Sequence, residues 1–167
     1  RIRYHTIEFG KFDIHVRTLR DNQQFSDPQG KASNVGISSA TWPHFGIIWD
    51  SGEYLARLME DVPVEGKRIL EIGCGIGLPS LVLNHRGADI TATDYHPEAE
   101  SFLKVNTHLN NDPDISFVRI AWDDKVSQVL GQFDLIIGSD LLYEDEHAEL
   151  LASFINQHSK NKCKVLI

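Results

Sequence analysis

The stretch Ile69-Leu70-Glu71-Ile72-Gly73-Cys74-Gly75-Ile76-Gly77-Leu78-Pro79 decides the fold. A short apolar run, Ile69 to Ile72, breaks into glycines at alternate positions. A helical pattern then runs from Leu78 to His85, with Leu81, Val82 and His85 inward. Strand, glycine turn and helix in this order open a βαβ unit, and glycine lets the backbone turn sharply and approach a ligand.

The same alternation continues outward. Asp89 to Thr93 is a second strand ending at Asp94. Pro97 then sits in the first turn of a helix reaching about Asn110 on Phe102, Val105 and Leu109. Ile115 to Ile120 is a third strand, Val126 to Leu130 a brief helix or turn, and Phe133 to Gly138 a fourth strand. That strand is almost continuously apolar, as parallel strands covered on both faces are. Glu146 to His158 reads as a helix with Leu150, Leu151, Phe154 and Ile155 inward, and Lys164 to Ile167 opens a fifth strand. The expected fold is α/β, a Rossmann-like doubly wound, mostly parallel sheet with ligands beyond the carboxyl ends of its strands.

Ahead of this repeat, Tyr4 to Phe9 and Phe12 to Leu19 alternate around Gly10-Lys11, predicting an N-terminal β-hairpin that acts as a flap. Arg20 to Thr41 is polar and aperiodic, a loop. The expected division is therefore residues 1–41, hairpin and loop, and residues 42–167, the ligand-binding domain. Asp50-Ser51-Gly52-Glu53 fits a capping box, opening a helix that buries Leu55, Leu58 and Met59 before Pro63.

Composition narrows the partners. With 41% apolar and 24% charged residues, the 167-residue chain can bury a core. Its 24 acidic against 16 basic side chains give −8, the wrong sign for binding phosphate backbones, so nucleic acid is disfavoured. No run approaches the roughly 20 apolar residues of a membrane span. Cys74 and Cys163 form no CxxC pair and the histidines show no HExxH spacing, so no metal site is read; a cytoplasmic setting is expected. His44, His96, His108 and His147 read as loop or exposed-helix residues.

The dinucleotide fingerprint GxGxxG needs glycine at 78, where Leu78 stands; the spacing here is GxGxG, with Glu71 two positions ahead. A carboxylate beside the loop repels a pyrophosphate and suits a ligand carrying ammonium and sulfonium charge. From Trp42 onward the chain resembles the class I, seven-β-strand S-adenosylmethionine-dependent methyltransferases. Four features stand in that family's order: the ExGxGxG loop, Asp94, Trp122-Asp123 after the third strand, and Asp140-Leu141-Leu142-Tyr143 after the fourth. The DxxY element, with Gly46-Ile47-Ile48-Trp49 leading into a helix, is similar to the subgroup containing many protein lysine methyltransferases.

The resemblance implies that Glu71, Gly73, Cys74, Gly75 and Gly77 form the cofactor loop. Asp94 would accept both ribose hydroxyls, Trp122 border the adenine, Ser139 meet the cofactor, and Trp49 close over it. Asp140 and Tyr143 would hold the acceptor amine. It further implies methyl transfer to nitrogen of a protein side chain, lysine first, on a substrate presenting a basic segment. A small-molecule acceptor, or a cofactor-binding scaffold without turnover, stays open. So do plainer readings: Trp49 and Trp122 as core aromatics, Asp94 as a helix cap, Glu144 to Glu146 as an acidic first turn. Against the seven-strand pattern the sheet looks cut short, so C-terminal strands 6 and 7 are expected to be missing from a chain that is a fragment; oligomeric state is not read.

Overall fold

A computed structural model describes residues 2–21, 25–123, 130–142 and 147–167. The hairpin forms as β1 (Ile2–Glu8) and β2 (Asp13–Leu19), antiparallel with Tyr4 opposite Arg17. After the short helix α1 (Lys31–Asn34) and α2 (Asp50–Leu58), strands and helices alternate: β3 (Arg68–Ile72), α3 (Leu78–His85), β4 (Asp89–Asp94), α4 (Ala99–Leu109) and β5 (Ser116–Arg119). β6 (Phe133–Gly138), α5 (His147–His158) and β7 (Ser159–Leu166) follow. The five later strands form one sheet in the order β5-β4-β3-β6-β7, all pairs parallel.

Chain direction across the sheet reverses at β3, since β4 and β5 lie to one side and β6 and β7 to the other. The carboxyl ends of β3 and β6 therefore flank the crevice where such sheets bind ligands. Two apolar layers cover the sheet. Ile69, Leu81, Val82, Leu135 and Ile137 share one with the hairpin's Ile14 and Val16, all 2% exposed or less. Leu70, Ile72, Ile136 and Phe154 lie in the other, with Phe133.

The expectation that strands 6 and 7 are missing is corrected. Counted along the chain there are seven strands among the described residues, and β6 and β7 are both present, paired in parallel at the C-terminal side of the sheet. The last strand also starts at Ser159 rather than Lys164. Its polar opening, Ser159-Lys160-Asn161-Lys162, lacks the apolar alternation by which strands are read, because lysines suit a strand at a sheet edge.

The hairpin is docked rather than a flap. The side-chain amide of Asn106 accepts from the Arg17 backbone N–H (2.7 Å) and donates to its carbonyl (3.3 Å); Asn110 does the same for His15, at 2.8 Å each way. Asn106 on α4 and Asn110 at its C-terminal cap thus satisfy the outer edge of β2, which would otherwise stand unpaired. Arg17 also lies over the Phe102 ring, 4.2 Å from its centre.

Three local expectations change. α2 starts at Asp50 with Trp49 as its cap residue and no side-chain cap, so the capping box does not form; Glu53 pairs with Arg57 at 2.7 Å. Leu58 and Leu150 face solvent, at 46% and 37% exposure. Val126 to Val129 lie outside the described residues.

Candidate active site

A cleft of about 580 Å³ opens at the carboxyl ends of β3, β4 and β6. Its floor is the glycine loop. Gly73, Gly75 and Gly77 all hold positive φ (61°, 55° and 75°), which L side chains rarely adopt. Packing adds a second requirement at Gly75, where a Cβ would lie 2.8 Å from the Phe45 carbonyl oxygen. Backbone cannot swing aside as a side chain can. Gly75→Ala is expected to cost about 2 kcal/mol or more by chemical denaturation, combining left-handed strain of about 1 kcal/mol with this clash. Gly87→Ala supplies the control: its φ is 76° with nothing near the added carbon, so only the strain applies.

Asp94 closes β4 beside this loop. Its Oδ2 accepts the Gly75 N–H and its Oδ1 the His96 N–H, both at 2.7 Å. A carboxylate offers about four lone-pair directions, so capacity remains for further donors in the cleft. Burial raises its pKa, opposed by these backbone bonds. Asp94 thus anchors two turns, while α4 itself starts at Ala99 with Glu98 as its cap residue.

Glu71 is buried at the end of β3 and accepts both the backbone N–H (2.9 Å) and the hydroxyl of Ser80, in the first turn of α3. Burial raises its pKa from 4.5 to about 8, against the pull of the Ser80 bonds. The folded chain therefore holds this proton more tightly than the unfolded chain. The associated stability is full below about pH 4.5 and is lost as pH rises through about 8. Glu71→Gln is expected to remove this slope, so that the variant gains on the parent in thermal unfolding as pH rises from 5 to 8. Cys74, beside it, is buried and its thiol pKa is pushed well up by burial, with Asp94 and Glu71 adding to the effect; it stays protonated and is no nucleophile.

The far wall is built by β6 and α2. Ser139 lines the cleft and sits 3.4 Å from where a Cβ on Gly52 would lie. Asp140 holds a left-handed backbone, φ 52°, among the few non-glycine residues that do so here. Aspartate tolerates that region better than most residues, and such outliers gather at functional sites. The Ser51 hydroxyl donates to Asp140 Oδ2, tying the start of α2 to the end of β6.

Aromatic side chains frame the opening. Trp49 donates from Nε1 to the His44 carbonyl (3.1 Å) and stands edge-on to the His44 ring; Trp122 is half-buried and edge-on to His147. Gly36, Ile37, Ser38 and Thr41 line another side of the cleft, next to a segment held by the Tyr95 hydroxyl on the Val35 carbonyl and by Lys31 paired with Glu98 at 2.8 Å.

The structure therefore brings Trp49, Glu71, Gly73, Cys74, Gly75, Asp94, Trp122, Ser139 and Asp140 to one cleft. Gly77 stands just behind it, its missing Cβ leaving room for Leu103. Tyr143 and the Glu144 to Glu146 rim lie outside the described residues. Sequence reading did not find Ser51, Gly52, Phe45 or the side lined by Gly36, Ile37, Ser38 and Thr41. His96 lies in the loop between β4 and α4, as one of the two expected settings had it, but its ring is buried between Phe25 and Phe45, which sequence reading did not find.

Glu71, Asp94, Asp123 and Asp140 face the cleft, and among the described residues no lysine or arginine does. With Glu71 holding its proton near neutral pH, the three aspartates form an acceptor set that repels phosphate and fits a cationic ligand bearing hydroxyls. A glycine loop with positive φ and an aromatic border complete a fit to S-adenosylmethionine.

The comparisons agree with this class. A family described as lysine methyltransferase matches residues 37–167, and the chain belongs to it. It is similar to protein N-lysine methyltransferase METTL21A of Danio rerio, 30% identical over 77% of this chain and 63% of that protein. It is also similar to the electron transfer flavoprotein beta subunit lysine methyltransferase of Xenopus laevis, 31% identical over 75% of this chain and 51% of that one. With the protein N-terminal and lysine N-methyltransferase efm7 of Schizosaccharomyces pombe it shares 32% identity, over 84% of this chain and 58% of that one. The chain thus spans about half to three-fifths of these relatives' lengths. Among solved structures, ribosomal protein L11 methylase from Lactobacillus delbrueckii subsp. bulgaricus matches with TM-score 0.59 and 25% identity, covering 71% of this chain and 60% of that one. The fold is also that of a Thermus 16S rRNA N2 G1207 methyltransferase solved with AdoMet and guanosine, TM-score 0.59 at 16% identity, covering 99% of this chain and 41% of that one.

Proposed function

We propose that this chain carries the cofactor site and acceptor-facing wall of an S-adenosylmethionine-dependent protein lysine N-methyltransferase. One observation carries the reading: the glycine loop with Asp94, and Asp140 after β6, open onto the same cleft, which is lined by three aspartates and the buried Glu71 and, among the described residues, by neither lysine nor arginine. Family membership and the three named relatives support lysine as acceptor.

When bound, S-adenosylmethionine supplies an electrophilic methyl group on a cationic sulfur. The chain's residues then have three tasks. Gly73, Cys74 and Gly75 would present backbone to the ligand, Asp94 would receive its ribose hydroxyls, and Glu71, held by Ser80, braces the loop from below. Trp122 would border the adenine, and Trp49 would help exclude water from the cleft. Ser139 and Asp140 face the acceptor side: Oδ2 of Asp140 is taken by Ser51, which fixes the carboxylate and leaves Oδ1 for the amine hydrogens. By its place in the DxxY sequence pattern, Tyr143 is assigned the same task.

The acceptor must present a free lone pair. A lysine with pKa near 10.4 is about 3.4 units from neutral at pH 7, about 4.6 kcal/mol. Desolvation beside a cationic neighbour disfavours the ammonium, so Asp140 serves to attract and aim the side chain. A basic protein segment matches the acidic chain, and a reducing, cytoplasmic setting is part of the same proposal, supported by two free cysteines, Cys74 and Cys163. No described helix is long and apolar enough to cross a membrane.

Methyl-labelled S-adenosylmethionine incubated with the chain and a cell extract tests the reading. Label recovered as methyllysine after protein hydrolysis is the expected result. Label confined to small molecules replaces the acceptor class, and no transfer beside intact cofactor binding leaves a scaffold.

A further inference from the structure

The two outer edges of the hairpin are treated differently. On β2, His15 and Arg17 turn their backbone N–H and carbonyl groups away from β1, where Asn110 and Asn106 take all four. The register sets Thr6 opposite His15 and Tyr4 opposite Arg17, so these two turn the same groups outward on the other side. Among the described residues those groups have no partner. Tyr4 and Thr6 are exposed, and β1 carries neither lysine, proline nor bulge, the usual guards of an open edge.

A groove of about 590 Å³ lies on this side, with β1 on one wall and α2 on the other. The Glu8 carbonyl, two residues beyond Thr6 and pointing the same way, is taken by Arg57 of α2 at 3.2 Å. Arg57, Glu53 and Asp50 share one face of α2 and all line the groove. Arg57 therefore closes one end, and Asp50 stands toward the other. Ser51 follows Asp50 and donates to Asp140, and Ile47 and Ile48 line both groove and cleft. The open edge is thus continuous with the carboxylate assigned to the acceptor. Arg3 and Arg20 also line the groove and have no carboxylate partner among the described residues, whereas Glu53 is already paired with Arg57.

The backbone of an extended chain matches the edge, a carboxylate on that chain matches Arg3 and Arg20, and a lysine matches the Asp50 end. We infer that an extended segment of the substrate protein adds to β1 as a further strand, pairing its backbone with Tyr4 and Thr6. It sets an acidic side chain against Arg3 and Arg20 and delivers its lysine to Asp140. The inference rests on the methyltransferase reading above and narrows the substrate segment named there to one that carries an acidic residue besides its lysine.

The Thr6 N–H points away from β2, so Thr6→Pro removes it and spares the hairpin ladder. Thr6→Ala is the reference, since it loses the same hydroxyl bond to His15 and keeps the N–H. With methyl-labelled S-adenosylmethionine and a cell extract, Thr6→Pro is expected to make protein methyllysine at least about tenfold more slowly than Thr6→Ala. The two should bind S-adenosylhomocysteine within about twofold of each other. Equal rates of transfer overturn the proposal. So does a parent dimer in light scattering that Thr6→Pro turns into monomer, which gives the edge to a second copy. A further measurement uses the parent chain alone, should the proline variant not fold. The labelled lysine is located by mass spectrometry, and its segment is made as synthetic peptides with single backbone N-methyl groups. Losses of at least about tenfold in kcat/KM at alternate positions are expected, because strand pairing turns every second N–H to its neighbour. Losses without that period, or a segment with no acidic residue within the length of β1, overturn it. A parent chain that makes no methyllysine removes the lysine reading itself, whereas transfer indifferent to Thr6→Pro and to backbone N-methylation removes only this inference.

Discussion

Asp94→Ala is expected to weaken S-adenosylhomocysteine binding by at least about 100-fold in calorimetry. The carboxylate now accepts two backbone N–H groups at 2.7 Å and is the acceptor assigned to the ribose. Hydrogen bonds to charged groups contribute about 1.5–3 kcal/mol each, so losing the equivalent of two lowers affinity by two orders of magnitude or more. Alanine also leaves the Gly75 and His96 N–H groups unmet, which loosens the loop that forms the cleft floor. Asp94→Asn keeps one acceptor oxygen and is expected to fall between. A dissociation constant within threefold of the parent for Asp94→Ala would contradict the assignment of Asp94.

The second large effect is on turnover. Asp140→Asn is expected to lower methyl transfer by at least about 100-fold, the scale on which misplacing a reactant acts. S-adenosylhomocysteine binding should stay within about twofold of the parent. Asparagine is the informative replacement because Asp140 sits at φ 52°, a conformation asparagine tolerates. Asp140→Ala adds left-handed strain of about 1 kcal/mol to the loss of the carboxylate, so its stability must be measured alongside. Ser51→Ala frees the carboxylate without removing it and should show a smaller loss. Equal falls in transfer and in cofactor binding would move Asp140 from the acceptor side to the cofactor side.

The parts of this site legible in the sequence are those set by local chemistry. The glycine loop is legible because positive φ at Gly73, Gly75 and Gly77 needs glycine whatever surrounds it. Asp94 and Asp140 are legible because one ends and the other closely follows a strand whose apolar run is easy to read, and in this fold strand ends border ligands. What stayed hidden depends on partners distant in the chain. The hydroxyl of Ser51 meets Asp140, 89 positions on, only once the start of α2 has been brought beside the turn after β6. The burial of His96 comes from Phe25 and Phe45, so Asp94-Tyr95-His96-Pro97 alone reads as a polar turn. Asn106 and Asn110 carry no strand signal, yet they convert the hairpin from a flap into a docked wall. The start of β7 was missed for the opposite reason: its residues suit a solvent-facing edge, and period-two apolar alternation is absent there.

The account's central claim is that the cleft receives an S-adenosyl cofactor rather than a phosphate-bearing one. Titration calorimetry of the unmodified chain with S-adenosylhomocysteine and, separately, with NAD tests it most directly. Saturable one-to-one binding of S-adenosylhomocysteine with no heat from NAD is the predicted result; NAD binding with none for S-adenosylhomocysteine would contradict it.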